Sequence, residues 1–118
     1  MKIRVERDQT KTELGTITYP TSQYTSEPRW SLSKSGNIVT GTFLGSLASE
    51  IAGARAIIAT LPEGFRPIGH NVSISGFTKY GNAESMYWFA VNANGTITSE
   101  TGTQSMSGKV MIQFAFAI

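Results

Sequence analysis

The last ten residues, Lys109 to Ile118, place Val110, Ile112, Phe114, Phe116 and Ile118 at every second position. A helix would scatter these side chains around its axis, whereas an extended strand turns them all to one side. The intervening Met111, Gln113, Ala115 and Ala117 are mostly small or apolar. The second face of this strand is therefore expected to be covered as well, by the first strand or by a neighbouring copy of the chain.

The same period recurs upstream. Trp30 and Leu32 alternate with serines, Ser35-Gly36-Asn37 supplies a turn, and Ile38 to Leu44 returns as a strand relaxed by Gly41 and Gly45, which predicts a first hairpin over 30–44. Val72, Ile74 and Gly76 alternate with Asn71, Ser73 and Ser75, and Tyr80-Gly81-Asn82 turns the chain. In the next strand, Glu84 to Asn92, Met86, Trp88 and Ala90 share one face and Tyr87, Phe89 and Val91 the other; Asn94-Gly95 then closes a hairpin into Thr96 to Thr101. The segment Ser46 to Leu61 is mixed. Leu47, Ile51 and Ala54 recur near helical spacing, while Gly53 and the β-branched pair Ile57-Ile58 oppose a long helix. It reads as a loop with at most one helical turn, then a strand from Arg55 to Leu61. With about seven or eight strands and turn signals every ~8–12 residues, the chain is expected to be all-β, an antiparallel β-sandwich of jelly-roll or Greek-key type.

Between two of these strands lies Thr60-Leu61-Pro62-Glu63-Gly64-Phe65-Arg66-Pro67. Neither proline can donate to a sheet ladder, so the run is a shaped connection in which Gly64 takes the positive φ of a tight turn. Arg66 is expected to be structural, held by a carbonyl or carboxylate at that turn.

This arrangement resembles the C-terminal head domains of tail-fibre and baseplate proteins from phages of Gram-positive bacteria. The residues that carry it are 57–67, which join a short apolar strand to the Leu-Pro-x-Gly-aromatic-Arg-Pro turn, the hairpin Asn94-Gly95-Thr96-Ile97, and the strand, turn and strand of 30–40. It covers residues 28–118. It implies a virion protein, a homotrimer, and a non-enzymatic head that attaches to saccharide on the host surface; the alternative is a purely structural baseplate, tail or capsid accessory protein. Residues 1–27 stand apart as an N-terminal arm and linker, with Ile3 and Val5 alternating with charged side chains, and are expected to contact other virion proteins or to form an ordinary edge strand.

Composition removes several function classes. At 118 residues the chain is one domain, and with no cysteine it has neither thiol chemistry nor cysteine-bound zinc. Its ten Lys and Arg against eight Asp and Glu are scattered, without the basic stripe that nucleic acid requires. No apolar stretch suits a membrane helix, and the charged first residues do not read as an export signal.

Catalysis is expected to be absent. The single histidine, His70, has no motif placing an acid or nucleophile beside it, and the sole aspartate, Asp8, lies in the arm. Glu50, Glu63, Glu84 and Glu100 sit in expected turns or strand ends, where solvated carboxylates are the default rather than a glycosidase pair. No residue spacing suits a metal or a cofactor. Asn71-Val72-Ser73 and Asn94-Gly95-Thr96 match a glycosylation pattern, but Asn94 is explained by its turn. The candidate ligand contacts are Tyr80, Asn82, Glu84, Tyr87 and Trp88, with Lys79 and His70 adjacent, because aromatic faces and nearby amide or charged groups suit sugar rings. The segment from Phe77 to Glu84 is expected to be the loop that carries them. Trp88, in mid-strand, also suits a core or a subunit interface.

Overall fold

The computed structural model describes residues 12–51, 54–80, 83–100 and 106–118. Among these residues the chain forms eight strands: β1 (Thr12–Leu14), β2 (Arg29–Ser35), β3 (Ile38–Ser46), β4 (Ala54–Thr60), β5 (Val72–Tyr80), β6 (Ala83–Val91), β7 (Thr96–Glu100) and β8 (Lys109–Ala117). All pairings are antiparallel, in the order β1-β2-β3-β8-β5-β6-β7-β4. Two meanders, β1-β2-β3 and β5-β6-β7, are thus joined by β8, the last strand of the chain. The sheet curls until its ends meet. Just after β1, Thr18 exchanges two backbone hydrogen bonds with Thr60 of β4, at 3.0 and 2.7 Å. The result is an all-β, sandwich-like fold around one core.

Strand parity builds that core. Val110, Ile112, Phe114 and Phe116 of β8 all point inward and are buried, as are Leu32, Val39, Phe43, Ile74, Phe89, Val91 and Ile97 from the other strands. Gly41 lies opposite Phe114 across β3 and β8, and the phenyl ring occupies the space a β-carbon would need. At roughly 1.5–3 kcal/mol for each large side chain buried, this row is the main source of stability.

Part of the stretch read as arm and linker belongs to the core. Ile17 and Tyr24 are buried and Tyr19 packs against them, with Tyr24 in edge contact with Phe43 at 5.6 Å. The Tyr24 hydroxyl donates to the Ile58 carbonyl at 2.7 Å, tying this segment, which includes a short 3₁₀ turn (Thr21–Gln23), to β4. Burial pushes the Tyr24 phenol up to about 12, opposed in part by the hydrogen bond Gln23 donates to it. The strand expected around Ile3 and Val5 lies outside the described residues.

No helical turn occurs among the described residues of 46–61. Leu47 bridges Tyr24, and Ile51 bridges Met106, so strand-like pairs replace it. Helical spacing in so short a stretch is overruled by backbone groups that find partners across the sheet.

The proline run and the hairpin after β6 are one structural unit. Pro62 accepts from the Phe65 amide at 3.2 Å with Gly64 at φ +87, and the Leu61 amide donates to the Gly95 carbonyl at 2.8 Å. Arg66 Nε donates to the Leu61 carbonyl at 2.9 Å, the structural role expected for it. Lys34 of β2 braces the same turn, donating to the Gly64 carbonyl at 2.8 Å with its ammonium 5.0 Å from the Phe65 ring centroid.

Candidate functional site

The outer face of the sheet, opposite the core, carries large apolar side chains in register. Met86 pairs with Phe77, Phe77 with Met111, Met111 with Leu44, and Leu44 with Arg29, so one row crosses β6, β5, β8, β3 and β2. Met86 is 59% exposed and Phe77 46%. The next row is mixed: Trp88 opposite Ser75, and Gln113 opposite Thr42, which in turn faces Ser31. Ser31 and Thr42 share a hydrogen bond at 2.7 Å. Between the rows, a groove of about 610 Å³ is lined by Arg29, Thr42, Leu44, Ser75, Phe77, Met111 and Gln113, with Trp30, Phe43, Gly76 and Ile112 beneath. Aromatic and thioether surface beside hydroxyl, amide and guanidinium groups is suited to a sugar ring, whose faces are apolar and whose rim is polar.

Alternation separates the residues expected to form a ligand site. Trp88 projects outward and is 56% exposed, whereas Tyr87 projects inward and is 5% exposed, so the two cannot share a contact surface and Tyr87 serves the core. Glu84 lies on the same side as Trp88, two strand repeats away, and pairs with Lys79 at 3.9 Å. The Tyr80 side chain and Asn82 lie outside the described residues. The described residues of 77–84 are also strand rather than loop. They are the end of β5 and the start of β6, which pair up to Tyr80 and Ala83, because the two-fold period persists to the ends of both strands.

Sequence reasoning did not assign Leu44, Met111, Gln113 and Arg29 to a site. Each is ordinary within its own strand. They become neighbours only because β8 inserts between β3 and β5, a pairing that no local pattern announces. Ala115 and Ala117 are exposed, and the strand around Ile3 and Val5 that was expected as one possible cover for them lies outside the described residues.

Among the described residues, no three His, Asp or Glu side chains gather as a metal would require. His70 is exposed in the loop before β5.

No family model matches the sequence, and no curated protein matches it. Among solved structures, the chain is similar to the crystal structure of the head domain of lactococcal phage bIL170, a receptor binding domain, with a TM-score of 0.68 and 14% sequence identity. The likeness takes in 92% of this chain and 99% of that one. The resemblance read from the proline turn and the hairpin thus holds at the level of fold, and this chain shares the fold of the bIL170 head domain over nearly its whole length.

Proposed function

We propose that the chain is a host-attachment domain of a phage virion, a non-enzymatic homotrimeric head that binds saccharide on the bacterial surface. The observation that carries this reading is the near-complete two-way coverage with the bIL170 head domain. The outer face divides the work between its two rows. The apolar row of Met86, Phe77, Met111 and Leu44 is the assembly face, since half-exposed large apolar side chains in register are the signature of a surface covered by another protein. In this reading the occupant is a second copy of the chain docked on that row alone, which leaves the neighbouring mixed row open. The mixed row offers the ligand surface: Trp88 for the apolar face of a sugar, with Ser75, Gln113 and Thr42 for its hydroxyls. Weak single-site binding repeated over linked copies gains roughly 10²–10⁴ in avidity.

Light scattering on the purified chain, followed by binding to host envelope glycans, tests the reading. A trimer that binds, becomes monomeric in Met86→Glu and loses only binding in Trp88→Ala is the expected result. A trimer that binds no host envelope glycan would instead favour a purely structural virion role, and a monomer that binds would remove the assembly face.

A further inference from the structure

Strand β4 departs furthest from regular pairing. Its register against β7 slips between Ala54 and Ile57 and again between Ile57 and Ala59, so β4 carries residues with no partner opposite. At the first slip Arg55 has φ +59, the one non-glycine positive φ among the described residues. A β-carbon is disfavoured there, and such strain persists only where the surroundings impose it. The next amide, Ala56 N–H, donates to the Ser99 hydroxyl at 3.1 Å, and Ser99 is fully buried. The bulge is thereby held, and it directs the exposed Arg55 to a cleft of about 420 Å³ lined also by Asn71, Asn92, Asn94, Thr96 and Thr98.

The hydrogen bonds of this cleft fix which atoms remain for a ligand. Asn71 Oδ1 accepts from the Ala93 amide at 3.0 Å, and Asn94 Oδ1 accepts from the Thr96 amide and hydroxyl at 3.0 and 2.7 Å. Both amide oxygens are committed to the protein, and among the described residues the two NH₂ groups remain as donors. Asn92 is used the other way: its NH₂ donates to the Thr96 carbonyl and to the hydroxyls of Thr96 and Thr98 at 3.1, 3.1 and 2.9 Å. The Thr98 hydroxyl in turn donates to Glu100 Oε1 at 3.0 Å. Among the described residues, the ion pairs are Lys34–Glu13 and Lys79–Glu84, and Arg55 takes part in neither. The cleft is therefore rich in unspent donors and carries a guanidinium.

We propose that this cleft binds an oxyanion, a phosphate or carboxylate, carried on a polyhydroxylated ligand. The Arg55 guanidinium supplies paired charge-assisted hydrogen bonds to the anion, and Asn71 and Asn94 donate to its remaining oxygens or to neighbouring hydroxyls. Asn92, the residue just after β6, is four positions beyond Trp88, or about 13 Å along the chain direction, so an extended glycan on the Trp88 row would reach the cleft with a charged substituent. Only that last step, the source of the ligand, rests on the attachment reading.

The test is an NMR titration of the ¹⁵N-labelled full chain with glucose 6-phosphate, glucuronate, glucose and inorganic phosphate, following the amides of 93–98. Arg55→Gly is the informative variant, because glycine adopts φ +59 without strain and the fold survives the change. The expected result is binding of glucose 6-phosphate and glucuronate that weakens by about tenfold or more in Arg55→Gly, with glucose weaker by a similar factor. The proposal is overturned if Arg55→Gly binds within about twofold of wild type, if glucose binds as well as the anionic sugars, or if no anionic probe shifts these amides at concentrations on the order of tens of millimolar. Inorganic phosphate binding as tightly as glucose 6-phosphate would overturn the part assigned to ligand hydroxyls. Competition of the purified head against phage adsorption separates the two readings. Unimpaired competition by an Arg55→Gly head that no longer binds glucose 6-phosphate removes the cleft from attachment, and a wild-type head that binds the sugar phosphate yet never competes removes attachment itself.

Discussion

Replacing Gly95 with alanine should destabilise the fold far more than the same change at Gly69, although both glycines have positive φ, +96 and +79. The backbone penalty is shared: an L side chain in this region costs roughly 1–2 kcal/mol. The surroundings differ. A β-carbon on Gly69 meets nothing within 4 Å, whereas on Gly95 it would lie 2.7 Å from the Leu61 carbonyl oxygen, and the Arg66 guanidinium is also in its way. Relief requires moving the proline turn off the hairpin, which strains the Leu61 amide to Gly95 carbonyl bond at 2.8 Å and the Arg66 to Leu61 carbonyl bond at 2.9 Å. At about 1 kcal/mol for each bond weakened, Gly95→Ala should cost about 3–4 kcal/mol in all. Gly69→Ala should cost about 1–2 kcal/mol. With roughly 4 °C lost per kcal/mol in a domain of this size, the melting temperatures should fall by about 12–16 °C and 4–8 °C. Urea unfolding followed by tryptophan fluorescence gives both free energies. Equal costs at the two positions would refute the argument that the two turns form one docked unit.

Tyr24→Phe removes the hydrogen bond to the Ile58 carbonyl and should cost about 1–2 kcal/mol at neutral pH. Because burial raises the Tyr24 pKa from 10.0 to about 12, the wild type loses that group's contribution as pH climbs through this window; the gap between the two proteins should narrow there in alkaline denaturation, and a gap unchanged from neutral to strongly alkaline pH would contradict it. Phe89→Ala empties a fully buried position and should cost about 3–5 kcal/mol in chemical denaturation, whereas Met86→Ala, on the outer face, should leave monomer stability within about 1 kcal/mol. Lys34→Met removes the bond to the Gly64 carbonyl and the ammonium over Phe65, and a loss of about 1 kcal/mol is expected from the same measurement.

The inner face of the fold was legible in the sequence because it depends on period and turn chemistry, both local. Val110, Ile112, Phe114 and Phe116 share one buried face as the alternation puts them, and the turns at Gly64 and Gly95 form where positive φ is needed. What escaped is non-local. Nothing in the sequence around Tyr24 indicates that its hydroxyl reaches Ile58, so residues now seen in the core read as linker. The outer groove depends on the placement of β8, and the Arg55 cleft on two bulges with no glycine or proline to mark them. Trp88 and Tyr87, adjacent in the candidate set, project outward and inward because neighbours in a strand point to opposite faces, so a cluster in sequence is divided in space.

That division couples the stability of the fold to the geometry of its surface. A slip of one residue in any strand would exchange the inner and outer rows, so the turns that set register also set which side chains reach a partner. The hairpin between β6 and β7 shows the coupling directly. Asn94 Oδ1 fixes the turn through Thr96, and Gly95 receives the proline run, while Asn94 and Thr96 also line the cleft that holds Arg55. Gly95→Ala should therefore shift the cleft amides of 93–98 in NMR spectra even at temperatures where the protein remains folded. Gly69→Ala, whose added carbon touches nothing, should leave them in place. If neither variant moves them, the cleft is shaped by β4 alone and the docked turns serve stability only.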